Sequence, residues 1–207
     1  MVELKLDSIS KRFGGRQVIR GVRATVQTGE TLVVTGRNGS GKSTLLSIIA
    51  GVLRPDRGSA GLWVDGVELD LDTRRTAVGW VAPDLTLYRE LSAWENLDFY
   101  ARVRSLPWSR DRAEALLEQV GLAGRGHDLV GTFSSGMRVR LKYAVALQCR
   151  PRLLILDEPT AMLDQSGAAI VEALIREQRN RGVVVLATND PNELRHGDLF
   201  LDLEAGG

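Results

Sequence analysis

A single cysteine, Cys149, in 207 residues excludes an intrachain disulfide and any zinc site built from several thiolates. Such usage suits a reducing cytosol, and the thiol is expected to serve as a small buried hydrophobe. Charge of one sign is also missing. With 27 basic and 26 acidic residues nearly cancelling, composition points to no nucleic-acid partner and to no strongly basic membrane patch. Long apolar runs are missing too: "LLSIIAGVL", at 45–53, falls far short of the roughly 20 residues that cross a bilayer, so membrane association has to come from a partner. No internal repeat or low-complexity tract interrupts the chain. The N-terminal "MVELKLDSIS" alternates apolar and polar residues and carries acidic groups, which marks a strand and not a cleaved secretion signal.

What is present suffices for one substantial core: 43% of the residues are apolar, and a single domain over residues 1–207 is expected. Along it the pattern of elements changes twice. From Met1 to about Leu71, short alternating runs punctuated by glycine ("LKLDSISKRF", "TLVVTG", "SAGLWVDGVEL") predict β structure with one embedded helix. From about Asp84 to Arg150 helical patterns dominate. There "SAWENLDFYARV" opens with a capping box, Ser92 with Glu95, and "SRDRAEALLEQVG" puts Ala113, Leu116, Leu117 and Val120 on one face before Gly121 stops it. From Pro151 onward, the continuous apolar runs "LLILD" and "VVVLAT" flank the helical "SGAAIVEALIREQRNRG". Such runs predict strands covered on both faces, hence a parallel sheet.

The densest chemical signal is "LVVTGRNGSGKSTLLSIIAG", in which Gly36 is followed after four residues by Gly41, Lys42 and Ser43. A β run precedes it and a helical apolar face follows, the context that a phosphate-binding loop needs. Gly36, Gly39 and Gly41 let the backbone turn tightly so that its N–H groups converge on phosphate oxygens, and the following helix aims its positive end at the same place. Lys42 can reach the β and γ phosphates, and the Ser43 hydroxyl can serve Mg²⁺. A dinucleotide fingerprint fails, because Thr44 stands where its third glycine would be. The second signal, "RLLILDEPTAMLD", ends an apolar strand on two carboxylates. Of Asp157 and Glu158, one suits the Mg²⁺ shell and the other can orient or deprotonate an attacking water.

In this order the motifs resemble those of the nucleotide-binding subunits of ATP-binding-cassette (ABC) transporters, over nearly the whole chain. "GRNGSGKST" looks like the Walker A motif, which implies ATP contacts from Gly36, Arg37, Asn38, Gly39, Ser40, Gly41, Lys42, Ser43 and Thr44. "LLILDEP" looks like the Walker B strand with its catalytic glutamate, and "AMLD" like the loop whose Asp164 lies across the dimer interface. "FSSGM" sits where the family signature reads Leu-Ser-Gly-Gly-Gln; Ser134 and Gly136 match it, while Phe133, Ser135 and Met137 depart. The resemblance implies that Ser134, Ser135 and Gly136 open a helix toward the γ-phosphate held by the opposite subunit; otherwise Ser134 is an ordinary N-cap. Phe13, in "SKRFGG", takes the place of the aromatic that stacks on adenine, although a lone Phe in a β-rich region can equally be core.

Two departures touch the chemistry. The place of the family's glutamine, which contacts the Mg²⁺ and water, falls to Pro83 or Asp84 in "VGWVAPDLTLYREL". Proline has no side-chain donor or acceptor, so Asp84 is the candidate ligand unless the two residues only form a turn. In "LATND", Asn189 replaces the switch histidine and is expected to face the γ-phosphate, or else to cap the turn before Pro191; neither His127 nor His196 is in register.

The resemblance implies an α/β P-loop NTPase of the ABC type: a mixed, largely parallel sheet, an N-terminal antiparallel β portion, and a helical subdomain at about 84–150. It implies ATP and Mg²⁺ as cofactors and two copies clasping two ATP molecules head to tail. A membrane-spanning transporter subunit would be driven from the cytoplasmic side, with "LTLYREL" touching it. The compact length is similar to that of the small ATPase subunit of the haem exporter used in cytochrome c maturation. A degenerate cassette that only clamps nucleotide is the rival, motivated by Pro83 and Asn189 and opposed by the intact Lys42, Asp157 and Glu158. A repair or translation ABC protein would show a coiled-coil insertion or a second cassette, and a P-loop kinase would leave "FSSGM" and "AMLD" without a role.

Overall fold

The computed structural model describes residues 1–204. The chain opens with a long hairpin of β1 (Val2–Phe13) and β2 (Arg16–Gln27), turned by Gly14 and Gly15, whose positive φ angles (51° and 82°) suit a two-residue turn. Val2, Leu4, Leu6 and Ile9 face inward along β1. After β3 (Thr31–Thr35) and helix α1 (Lys42–Ile49), β4 (Arg57–Val64) and β5 (Val67–Glu68) form a second hairpin on Asp65–Gly66, again with both φ positive. A short helix α2 (Leu71–Ala77), started by the Asp70 side chain on Asp72 and Thr73 N–H, was not foreseen from the sequence.

Beyond it lie β6 (Val78–Val81) and the helical stretch α3 (Ala93–Val103), α4 (Arg110–Gln119) and α5 (Ser135–Leu147). Both bonds of the expected capping box, Ser92 with Glu95, are present, and Ala113, Leu116, Leu117 and Val120 are all buried. Gly121 ends α4 at φ 69°, the left-handed conformation that a helix stop needs. The remaining elements are β7 (Leu153–Asp157), α6 (Gln165–Arg179), β8 (Val183–Ala187), α7 (Pro191–Leu194) and β9 (Leu199–Asp202).

The largely parallel core and the antiparallel portion expected from the sequence are both found, as two separate sheets. One is antiparallel in the order β2-β1-β4-β5, and the other is parallel throughout in the order β6-β7-β8-β3-β9. Alternation along the parallel strands explains why β7 and β8 read as unbroken apolar runs. Leu153 and Ile155 of β7, with Val183 and Val185 of β8, join α1 and the antiparallel sheet in one core. Leu154, Leu156, Val184 and Leu186 join α3, α4, α5 and α6 in the other. Each fully buried Leu, Ile or Val contributes about 1.5–3 kcal/mol, so a polar residue is excluded from either face until the strands end.

Candidate functional site

Strand register sets the site. Val34 of β3 and Asp157 of β7 both stand opposite Ala187 of β8, so three parallel strands end at one level, where ligands of open α/β sheets are held. From that level β3 continues into the glycine loop. A side chain on Gly36 (φ 138°) would come within 2.6 Å of Ser40 Oγ, and one on Gly41 (φ 105°) within 2.7 Å of Val18 Cγ1. The loop therefore closes only with glycine at both places. Gly41 also caps α1 with no side chain, so the first-turn N–H groups stay free for an anion, and the Ser40 hydroxyl is buried without a partner.

Lys42, only 7% exposed, bends back to donate to the Gly36 carbonyl at 2.5 Å and the Arg37 carbonyl at 3.4 Å. Its neighbour Ser43 donates from Oγ to Asp157 Oδ2 at 2.8 Å. Burial pushes the Asp157 carboxyl above its usual range against the Ser43 hydrogen bond, and the nearby Glu158 and Asp84 carboxylates push it the same way. Glu158 is exposed beside it with φ 50°, an uncommon conformation for a non-glycine residue that costs about 1–3 kcal/mol and gathers at functional sites. Lys42, Ser43, Thr44, Gly39, Asp157 and Glu158 line one cleft of about 510 Å³, and Phe13 stands at its wall. Phe13 is 49% exposed at the end of β1, with Lys11 Nζ 5.5 Å from its ring centre, so it is not a core residue.

Asn189 follows β8 and reaches over the glycine loop. Turned so that both ends of its amide are satisfied, it donates to the Gly36 carbonyl at 2.7 Å and accepts from Lys42 Nζ at 3.0 Å. Asp190, not Asn189, caps α7 through the Asn192 N–H. With Arg37, Asn38, Asp202 and Glu204, Asn189 borders a second opening of about 620 Å³ on the same loop, and Glu204 accepts from the Arg37 N–H at 2.8 Å. Pro83 and Asp84 do form a turn, closed by Leu85 N–H on the Ala82 carbonyl at 3.2 Å, and the field of the Asp84 carboxylate still reaches Asp157.

Ser134, Ser135, Gly136 and Asp164 do not line this cleft. Ser134 starts α5 by accepting from the Met137 N–H at 3.2 Å, and Phe133 is buried in the helical core, which accounts for an aromatic in place of the signature's leucine. Asp164 starts α6, held below the usual carboxylate range by the Gly167 N–H and the Ser166 hydroxyl. Cys149 is half-buried, its thiol pushed up mainly by burial. Two residues that sequence reasoning missed brace the cleft from behind: Glu193 accepts from Thr160 N and Oγ1, and Tyr143 donates to the Pro159 carbonyl at 2.9 Å. The only sequence hint of Glu193, its place three residues after the helix cap Asp190, reads as a capping box and points elsewhere.

Hard oxygen donors suit Mg²⁺, which takes one or two protein oxygens and fills its shell with phosphate and water. Ser43 Oγ and Asp157 Oδ2 offer such a pair, while among the described residues no group of three His, Cys, Asp or Glu forms a metal cluster.

A glycine loop between a parallel strand and a helix, with strand-end carboxylates facing it, defines the class as an α/β P-loop nucleotide-binding fold. The ABC transporter family profile matches residues 19–161. The chain belongs to that family. It is 38% identical over 166 residues to the uncharacterized ABC transporter ATP-binding protein YdbJ of Bacillus subtilis, covering 79% of this chain and 53% of that protein. To the linearmycin resistance ATP-binding protein LnrL of the same organism it is 33% identical over 190 residues, covering 90% and 60%. The chain thus spans little more than half the length of these relatives. A solved dimeric ATP-binding cassette in a post-hydrolysis state, bound to ADP and Pi, superposes with a TM-score of 0.83 at 27% identity over 98% of this chain and 95% of that one. Phe13, Asp164 and Asn189 lie outside the span matched by the family profile.

Proposed function

We propose that this cleft binds ATP and hydrolyses it, and that the energy drives a membrane-spanning transporter subunit. The observation that carries the reading is the convergence of Lys42, the Ser43–Asp157 pair and Glu158 in one cleft at the start of α1. Loop N–H groups and Lys42 take the phosphates: the amine exchanges the Gly36 and Arg37 carbonyls for phosphate oxygens, a charge-assisted and stronger pairing. Phe13, exposed at the cleft wall, offers a flat face to the base. Mg²⁺ held by Ser43 and Asp157 would neutralise phosphate charge and favour ionised Asp157. Glu158 orients or deprotonates the water, and the field of the Asp84 carboxylate reaches Asp157 beside it. Asn189, already on the Gly36 carbonyl and Lys42, donates its amide to the γ-phosphate where imidazole would serve in the family.

Ser134, Ser135, Gly136 and Asp164 do not line this cleft, and we assign them to the nucleotide of a second copy, in a head-to-tail homodimer around two ATP. Support comes from the dimeric cassette that this chain resembles. No helix among the described residues is long and apolar enough to cross a membrane, in keeping with peripheral attachment, which we assign to the cytoplasmic face. Haem is the finer cargo reading and rests on the sequence resemblance alone; of the relatives named above, LnrL alone carries a compound in its name, linearmycin. The test is steady-state ATP hydrolysis by the purified protein with Mg²⁺, alone and with the membrane subunit that co-purifies from native membranes. Stimulated hydrolysis is the expected result, and binding without hydrolysis in both settings would favour the nucleotide clamp.

A further inference from the structure

Helix α5 carries Ser134–Gly136 at its start, and two adjacent residues in its second half grip the two acidic loops of the cleft. Lys142 Nζ donates to the Pro83 carbonyl at 2.5 Å and to the Ala82 carbonyl at 3.4 Å, on the turn that presents Asp84. Tyr143, 1% exposed, donates to the Pro159 carbonyl at 2.9 Å, directly after Glu158. Proline shapes both acceptors. Having no N–H, Pro83 and Pro159 cannot be tied through a donor of their own, so their carbonyls are the backbone handles that they offer. One helix thus reaches both loops. Lys142 is half-buried against the Asp84 turn: burial pushes its ammonium below the usual lysine range, and the Asp84 carboxylate opposes that shift. Behind the Glu158 loop, Glu193 holds Thr160, so a lengthened Tyr143–Pro159 contact would be felt at Glu158 itself.

We propose that Lys142 and Tyr143 are positioning residues that couple the start of α5 to both acidic loops, holding Asp84 and Glu158 in place over the phosphate-binding loop. This rests on the hydrolysis reading above. Neither residue touches nucleotide; a rotation of α5 when its Ser134 end meets a second copy would be passed to both carboxylates through these two carbonyls. The mechanical link is short, because both donors sit within one turn of the same helix.

The experiment compares Lys142→Met, Lys142→Arg and Tyr143→Phe with the parent chain in steady-state hydrolysis, thermal melting and amide hydrogen exchange without nucleotide. Lys142→Met and Tyr143→Phe should each lower kcat about 10-fold, the scale of a small misplacement of a reacting group. KM for ATP should stay within about twofold, and Lys142→Arg should recover most of the lost rate. Exchange should quicken at residues 84–88 in Lys142→Met and at residues 160–163 in Tyr143→Phe, and not elsewhere. A lower melting temperature with unchanged kcat, or a kcat loss that Lys142→Arg does not repair, would overturn the proposal. If the parent chain hydrolyses no ATP, the hydrolysis reading fails, and the exchange arm still decides the tie: local quickening supports it and unaltered exchange overturns it.

Discussion

The cleft at the ends of β3, β7 and β8 and the surface carrying Ser134–Gly136 and Asp164 are built on opposite terms. In the cleft, charged and polar groups are held by tertiary contacts: Lys42 is buried on loop carbonyls, Ser43 is bonded to Asp157, and Glu158 sits at φ 50°. On the other surface, Ser134 and Asp164 are exposed and each is occupied by an N–H of its own helix. The difference has a physical source. A phosphate hole needs desolvated, pre-aimed groups, which only a packed core supplies, whereas a helix start stays solvated at no cost until an anion arrives. On the function proposed above, one surface is ready within a single chain and the other becomes a site only against a second copy.

The largest break of this comparison is Glu158→Gln. Turnover should fall about 10²- to 10⁴-fold, the scale of losing a general base, with ATP affinity intact. An ATP-bound dimer should then accumulate in size-exclusion chromatography with Mg²⁺; monomer alone, with and without the membrane subunit, would sink the head-to-tail arrangement. Lys42→Ala comes next. Loss of a charge-assisted pairing worth about 1.5–3 kcal/mol should weaken ATP binding about 10- to 100-fold by calorimetry, and unchanged affinity would remove this cleft from nucleotide binding.

Asn189 sharpens the comparison by a smaller factor. Asn189→His should raise turnover several-fold and add a pH dependence near the imidazole pKa, about 6.5 before any local shift. Asn189→Ala should lower turnover and leave affinity nearly unaltered; identical rates and pH profiles in all three proteins would make it a loop residue only. Ser134→Ala and Ser92→Ala each delete an N-cap worth about 1 kcal/mol, lowering the melting temperature by about 2–4 °C. Only Ser134→Ala should also weaken the ATP-dependent dimer, and equal effects on assembly would erase the contrast between the two surfaces.

The smallest expected effect has a sign of its own. Asp157 is raised in the folded chain, so its stabilising contribution is full below the unfolded carboxylate pKa, about 3.9, and is lost as pH rises through the raised value. Asp157→Asn should therefore raise the melting temperature of the nucleotide-free protein near neutral pH, with the gain fading in acid. A variant less stable than the parent at pH 7 would show that burial does not dominate at this carboxylate. Asp164 and Glu95 carry the opposite sign: their lowered values give stability that is complete above about pH 4 and lost as pH falls through the folded values.

The motifs were legible because their chemistry is local. Glycine at 36, 39 and 41, a lysine and serine opening a helix, and two carboxylates closing an apolar strand each follow from a few consecutive residues. So do the capping box at Ser92, the stop at Gly121 and the apolar face of α4, since backbone periodicity and caps act within one or two turns. The helix α2 was missed because it lies between the β stretch read to about Leu71 and the helical stretch read from about Asp84, and its two turns are too short to show a periodic apolar face.

Sequence alone thus determined the strands other than β6 and β9, the phosphate loop and which residues depart from the family pattern. Only the tertiary structure decided where those departures lie and what they touch. Strand register set Val34, Ala187 and Asp157 at one level, placed Phe13 in the open beside the cleft, and brought Asn189 onto Gly36 and Lys42, residues about 150 positions away in the chain. It also put Lys142 and Tyr143 on two proline carbonyls and Glu193 on Thr160. These contacts join segments far apart in sequence, and no local periodicity or propensity encodes a partner whose distance is set by sheet order and helix packing.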